Sequence, residues 1–204
     1  MENPFRPAEK YKPQIVIITA VFSFLGIVIL GFMDMNLHNQ YIVASFGSTA
    51  VLIYAAPKAP FSKPKNVFFS HIFSAFISIL IVWIFDAAGL FHDLQWMVCG
   101  LCVMCAILVM MFTGTIHPPA GATALTVAIS HITDMWFLVF PLAIGLLVMM
   151  AVAYAANSLR DRYSERVRNL SPQYGCGRTV AIPLCRTRRV PLRSISSSAR
   201  GGRR

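Results

Sequence analysis

Charged side chains are scarce in this sequence. Asp, Glu, Lys and Arg make up 13% of the 204 residues, against 56% hydrophobic residues and a mean hydropathy of +0.63. Residues 14–33, 67–85, 94–130 and 135–159 carry no such group at all. An uncharged apolar tract of about 18 residues or more is long enough to cross a bilayer. A soluble chain of this length has too little polar surface to bury so many such helices. The absence of charge therefore excludes an ordinary water-soluble domain and points to an integral membrane protein.

Other absences narrow the function. The apolar tracts hold no paired carboxylates, no H-E-x-x-H and no G-x-S-x-G, so we expect no enzyme. They also hold no Lys or Arg, which argues against a substrate site built on a buried ion pair. A disulfide framework is missing too. Of five cysteines, Cys176 and Cys185 lie near the end, and Cys99, Cys102 and Cys105 fall three residues apart inside an apolar helix. That row reads as small packing residues, with a metal or redox cluster as the lesser alternative, so no metal and no cofactor are expected. The first 13 residues are polar and Pro-rich, and the apolar run after them is too long for the core of a secretory signal.

What is present is unevenly spread. The net charge of +10 arises entirely after residue 157, where twelve Arg face two acids (12 − 2 = +10). Residues 158–204 read as a basic, disordered tail, beside a 1–13 cytoplasmic N-terminus and a 14–157 transmembrane domain. A basic tail next to a membrane span meets anionic lipid, so the bilayer is the expected partner and nucleic acid is not.

Apolar runs and breakers divide the domain into six segments, at residues 14–33, 41–56, 67–85, 94–112, 116–130 and 135–157. The second and fifth are short and carry glycine near their starts. If all six cross, Arg6, Lys10, Lys12, Lys58, Lys63, Lys65 and the C-terminal arginines share one side. The positive-inside rule makes that side cytoplasmic, with both termini there, in a cell or plasma membrane. Three segments followed by three would insert the second half upside down. The middle segments also resemble one another: "FGSTAVL" (46–52) matches "AGATALT" (120–126) at Gly47/Gly121, Thr49/Thr123 and Ala50/Ala124. We therefore expect an all-α polytopic membrane bundle of two inverted three-helix repeats, with short, broken middle helices. A homo-oligomer is the expected assembly.

The stretch "TGTIHPPAGATAL" (113–125) interrupts the longest uncharged tract. Pro118 drives His117 away from helical backbone. Pro119 suits the first turn of a helix, so a helix should start there after an extended stretch at 115–117. Its free N–H groups, with those near Gly47, Ser48 and Thr49, would form two facing half-helix N-termini that hold a small anion without a buried cation. The Ala122 N–H is among those groups, Gly121 allows close approach, and Thr123, Thr126 and Ser130 line one face. His117 is a candidate proton shuttle, or a plain helix-start residue. Ser70, Ser74 and Ser78 read as a packing face, and His71 as a structural histidine.

At "TIHPPAGATAL" and "FGSTAVLIYAAP" the sequence resembles the HPP family of integral membrane proteins, over roughly residues 14–157. Matching positions are Gly47, Ser48, Ala50, Pro57, Pro64, Asn66, His71, His117, Pro118, Pro119, Gly121, Thr123 and Ala124. Members in plastids and cyanobacteria are associated with nitrite transport. The resemblance therefore implies a small monovalent anion, nitrite first, where the residues alone reach only "small anion". The other readings are a non-transporting membrane scaffold or assembly subunit, and an intramembrane metal or redox protein using His71, His117 and the cysteine row.

Overall fold

In a computed structural model, residues 13–37 and 43–170 are described. They form six α-helices: α1 (Pro13–Leu37), α2 (Ala44–Ala50), α3 (Pro64–Ala87), α4 (Phe91–Thr113), α5 (Pro119–Ile129) and α6 (Ile144–Leu170). Four helical stretches are long and apolar enough to span a membrane: Pro13–Asn36, Pro64–Ala87, Phe91–Thr113 and Met135–Val167. The second and fifth segments are short, as their lengths foretold.

The breaks follow local chemistry. Pro64 opens α3 after Lys63 in extended backbone. Gly114, at φ +63, ends α4 in the left-handed conformation that a side chain resists, and Thr115 N–H returns to Met110 O at 3.1 Å. Residues 115–117 are non-helical, and Pro119 is the first residue of α5. Two segments are less regular than expected. The second becomes a π-turn at Val51–Ala55, and the sixth begins with a 3₁₀ turn (Met135–Leu138) and a π-turn (Val139–Ala143) before α6. α6 runs on to Leu170, so the helix carries past the expected tail boundary at 158. The rest of the expected tail and residues 1–12 of the expected N-terminus lie outside the described residues.

α3, α4 and α5 pack as a three-helix core, α1 packs on α6, and the second segment bridges them, with α2 against α5 and the Val51–Ala55 turn against α1 and α6. Apolar side chains point outward as well as inward. Phe24, Phe32, Trp83, Met111 and Phe112 are all exposed, which suits hydrocarbon rather than water.

A helix end packed inside protein leaves carbonyls that cannot turn to water. Both short helices are capped by side chains instead. At the end of the second segment, Ser62 Oγ donates to Leu52 O (3.0 Å) and Ala56 O (2.7 Å). From α6, Asn157 donates to Ile53 O (3.1 Å) and Arg160 to Tyr54 O (3.4 Å). At the end of α5, Gln95 of α4 reaches Ala128 O (3.4 Å) and Ile129 O (3.3 Å).

Candidate functional site

The two short helices lie side by side. Ser45 meets Thr123 and Thr49 meets His117, so their sequences run in opposite directions and α2 and α5 are antiparallel. Their N-termini sit at opposite ends of this pair and do not face one another across a gap. The N–H groups at the start of α5 are also engaged. Ala120 N–H donates to His117 O (2.9 Å) and Gly121 N–H to Pro118 O (3.1 Å).

Between the pair and α3 sits a buried polar cluster of Ser45, Thr49, His71, His117 and Thr123, each 0% exposed. His71 is at its centre. Its Nε2 lies 2.9 Å from Thr49 Oγ1 and its Nδ1 lies 2.6 Å from Thr123 Oγ1. Thr49 and Thr123 are the matching threonines of the two similar stretches, so one imidazole joins equivalent positions of the two halves. Thr123 Oγ1 is 2.8 Å from Ser45 Oγ. Thr49 Oγ1 donates to Ser45 O at 2.9 Å and lies 3.3 Å from His117 Nε2. The two imidazole centroids are 5.2 Å apart, and Phe46 sets its ring edge-on to His71.

The backbone around His117 is held from α3 and the loop before it. His117 Nδ1 lies 2.7 Å from Phe61 O. A carbonyl only accepts, so Nδ1 carries a proton and, in the neutral ring, Nε2 offers a lone pair to Thr49. Ser70 Oγ donates to Thr115 O, and Asn66 Nδ2 donates to Pro60 O (3.1 Å) and Ile116 O (3.5 Å). Asn66 and Ser70, one turn apart on α3, thus pin the non-helical stretch.

The candidate residues fall into two groups. Thr49, His117 and Thr123 point into the cluster, with Pro119 buried beside them. Gly47, Ser48, Pro118 and Ala122 are exposed, and Gly121 is half-buried. Gly47 opens onto a groove of about 420 Å³ shared with Thr19, Ser23, Phe24 and Tyr54. A Cβ added at Gly47 or Gly121 would meet nothing within 4 Å, so neither glycine is required by a close neighbour. Thr126 Oγ1 donates to Ala122 O (2.9 Å) and Ser48 Oγ to Ser45 O (2.9 Å), the local back-bonding of helical hydroxyls.

Ser45 was missed, and His71 undervalued, by reading the sequence alone. The clue for His71 was available, since an uncompensated imidazole within an apolar tract needs partners. Two further hydroxyls, Ser74 and Ser78, are fully buried with no hydrogen-bond partner among the described residues, one and two turns beyond Ser70. Buried hydroxyls in this condition call for water or a ligand. The cysteine row does not join the histidines: Cys102 Sγ reaches Ser78 O at 3.8 Å. Among the described residues no three His, Cys, Asp or Glu side chains converge as a metal site would require.

Two transmembrane proteins of Dictyostelium discoideum are similar to this chain. One is 30% identical over 155 residues, covering 72% of this chain and 53% of the relative. The other is 35% identical over 144 residues, covering 67% of this chain and 45% of the relative. The chain thus spans about half the length of the curated relatives it matches. No solved structure matches it. The profile of the HPP transmembrane region matches residues 8–165, and with its apolar spans and His-Pro-Pro turn the chain belongs to that family of membrane proteins.

Proposed function

We propose that this protein is a transporter or channel for a small monovalent anion, with nitrite the first to test. One observation carries the reading. Two short, interrupted helices lie antiparallel inside a membrane bundle and share a buried cluster of hydroxyls and neutral imidazoles, without a charged partner among the described residues. Paired short helices in corresponding places of two halves are a hallmark of transporters built from inverted repeats. In this proposal α1–α3 and α4–α6 are the repeats, related by an axis near His71, and all six segments cross with both termini and Lys58, Lys63 and Lys65 in the cytoplasm. The outward group, Gly47, Ser48, Pro118, Gly121 and Ala122, borders the anion path, and the inward group, Thr49, His117 and Thr123, lines its polar wall beside Pro119. A wall without fixed cations suits an ion that must leave as readily as it enters. Nitrite itself is drawn from the family resemblance.

Purified protein in liposomes is the test, with nitrite, formate and chloride gradients compared. We expect saturable nitrite flux above protein-free vesicles. No flux of any of the three would remove the transport reading. The runner-up is a membrane scaffold, favoured by the fact that every ring nitrogen of His71 and His117 already has a protein partner. A scaffold would give no flux, and its loss would disrupt a membrane assembly instead.

A further inference from the structure

We propose that the groove between α1 and the second segment binds an anionic phospholipid, with its phosphate at Lys58 and Arg160 and one acyl chain running down to Gly47. This goes beyond the transport reading and does not rest on it.

The groove exists because α1 leans on α6 and, within the second segment, on the Val51–Ala55 turn. Three cavities of about 440, 270 and 420 Å³ adjoin along it. Ala55 lines all three, Ile15 and Arg160 join the first to the second, and Thr19 joins the second to the third. Small side chains at Ala20, Gly47 and Ala50 leave the space. The buried Tyr54 ring closes the bottom. Its hydroxyl donates to Met149 O at 3.3 Å, and a Cβ at Gly26 of α1 would strike it.

The two ends differ in chemistry. Lys58, Arg160, Asp161 and Ser164 surround the mouth, where two cations outnumber one acid. Lys58 is exposed, and neither cation has a carboxylate partner among the described residues. Arg160 spends one N–H on Tyr54 O at 3.4 Å, and the rest of its planar fork suits a phosphate. Below the mouth the walls are hydrocarbon, from Ile15 and Val16 to Phe24, Ile27 and Val51. The Ser23 hydroxyl there is turned to Ala20 O at 3.0 Å.

Depth selects the occupant. The mouth lies where the charge-free tracts 14–33 and 135–159 end, which is headgroup level. From Ile15 to Ile27 a helix rises about 18 Å. One leaflet, half the hydrocarbon core, is about 15 Å deep. A single acyl chain therefore matches the groove from mouth to Gly47. A small soluble anion would leave the apolar length unfilled, and a zwitterionic lipid would bring a cation of its own to Lys58 and Arg160. In the topology proposed above the mouth faces the cytoplasm, where the leaflet carries anionic lipid.

Lipid retention by the purified full chain in neutral detergent is the test, read by native mass spectrometry. Phosphatidylglycerol and phosphatidylcholine with the same acyl chains are compared. One phosphatidylglycerol per protomer should be held about tenfold more tightly, because two basic side chains meet its charge. Lys58→Gln combined with Arg160→Gln should bring it down to the level of phosphatidylcholine, while an amide at position 160 can still donate to Tyr54 O. Ala55→Trp blocks the point where the cavities meet and should weaken both lipids by about tenfold. Melting in lipid-free detergent checks the fold of each variant. If Ala55→Trp does not fold, the parent protein and the exposed Lys58→Gln still decide. Equal retention of the two lipids by the parent, or no change in the double variant, would overturn the proposal. So would inorganic phosphate bound as tightly as phosphatidylglycerol, since the acyl chain would then contribute nothing. A dimer that Ala55→Trp breaks, with lipid retention unchanged, would give the groove to a second copy instead. No ion gradient enters the measurement, so absent nitrite flux leaves this site standing, and absent lipid leaves the transport reading standing.

Discussion

α2 and α5 share the pattern Gly-x-Thr-Ala, yet they sit in different surroundings. α5 is a regular helix wedged against α3 and α4, with Ala120, Thr123, Ala124, Val127 and Ala128 fully buried. α2 lasts only from Ala44 to Ala50 before loosening into a π-turn, and it exposes Gly47 and Ser48, with Val51 of the turn exposed beyond them. In both, the glycine looks outward and the threonine inward to His71. The shared pattern thus sets which face carries the hydroxyl, and the neighbours set how regular the helix is. In α5 the small side chains let two long helices come close. α2 is held by large ones. Phe46 fills space beside Gly145, where any added Cβ would fall 2.6 Å from its ring.

The comparison breaks most severely at its shared centre. His71→Leu removes two buried hydrogen bonds at once, leaving Thr49 and Thr123 their bonds to Ser45, and a loss of about 2 kcal/mol or more is expected. Thermal unfolding in detergent would register it, and an unchanged melting point would mean that the cluster contributes little to folding.

Next in size is Gly145→Ala, which acts on α2 alone. The new methyl must displace the buried Phe46 ring, at a cost of about 1–3 kcal/mol. Gly121→Ala has open space and serves as the control, so similar melting points for the two would contradict the packing described here.

Thr49→Val and Thr123→Val compare the equivalent positions directly. Each should cost about 1–2 kcal/mol and, because both lean on His71, the double variant should differ from the sum by about 0.5 kcal/mol or more. Additive losses would mean that His71 does not couple the two helices.

The smallest effect belongs to Ser74→Ala and Ser78→Ala on α3. Their hydroxyls have no partner among the described residues, so removal should change stability by no more than about 0.5 kcal/mol if the positions are dry. A loss several times larger would reveal an ordered water or ligand at the hydroxyl removed.

The sequence by itself determined a good deal. A near-absence of charge over tracts of bilayer length defines a membrane protein, since hydrocarbon leaves no other solvent for them. Pro118 and Pro119 after Gly114 determined the break and the start of α5, because proline geometry and a left-handed glycine act locally. The short second and fifth segments were legible for the same reason. Tertiary structure alone decided what those helices do with their ends and faces. The expected anion site relied on two N-termini meeting. They lie instead at opposite ends of an antiparallel pair, and the Ala120 and Gly121 N–H groups are turned back on the chain. His71 and Ser45 became central only when α3 was packed between Thr49 and Thr123. Periodicity tells which side of a helix a residue occupies, but not which helix it will meet. A hydrogen bond across 52 residues, as between His71 and Thr123, depends on that meeting.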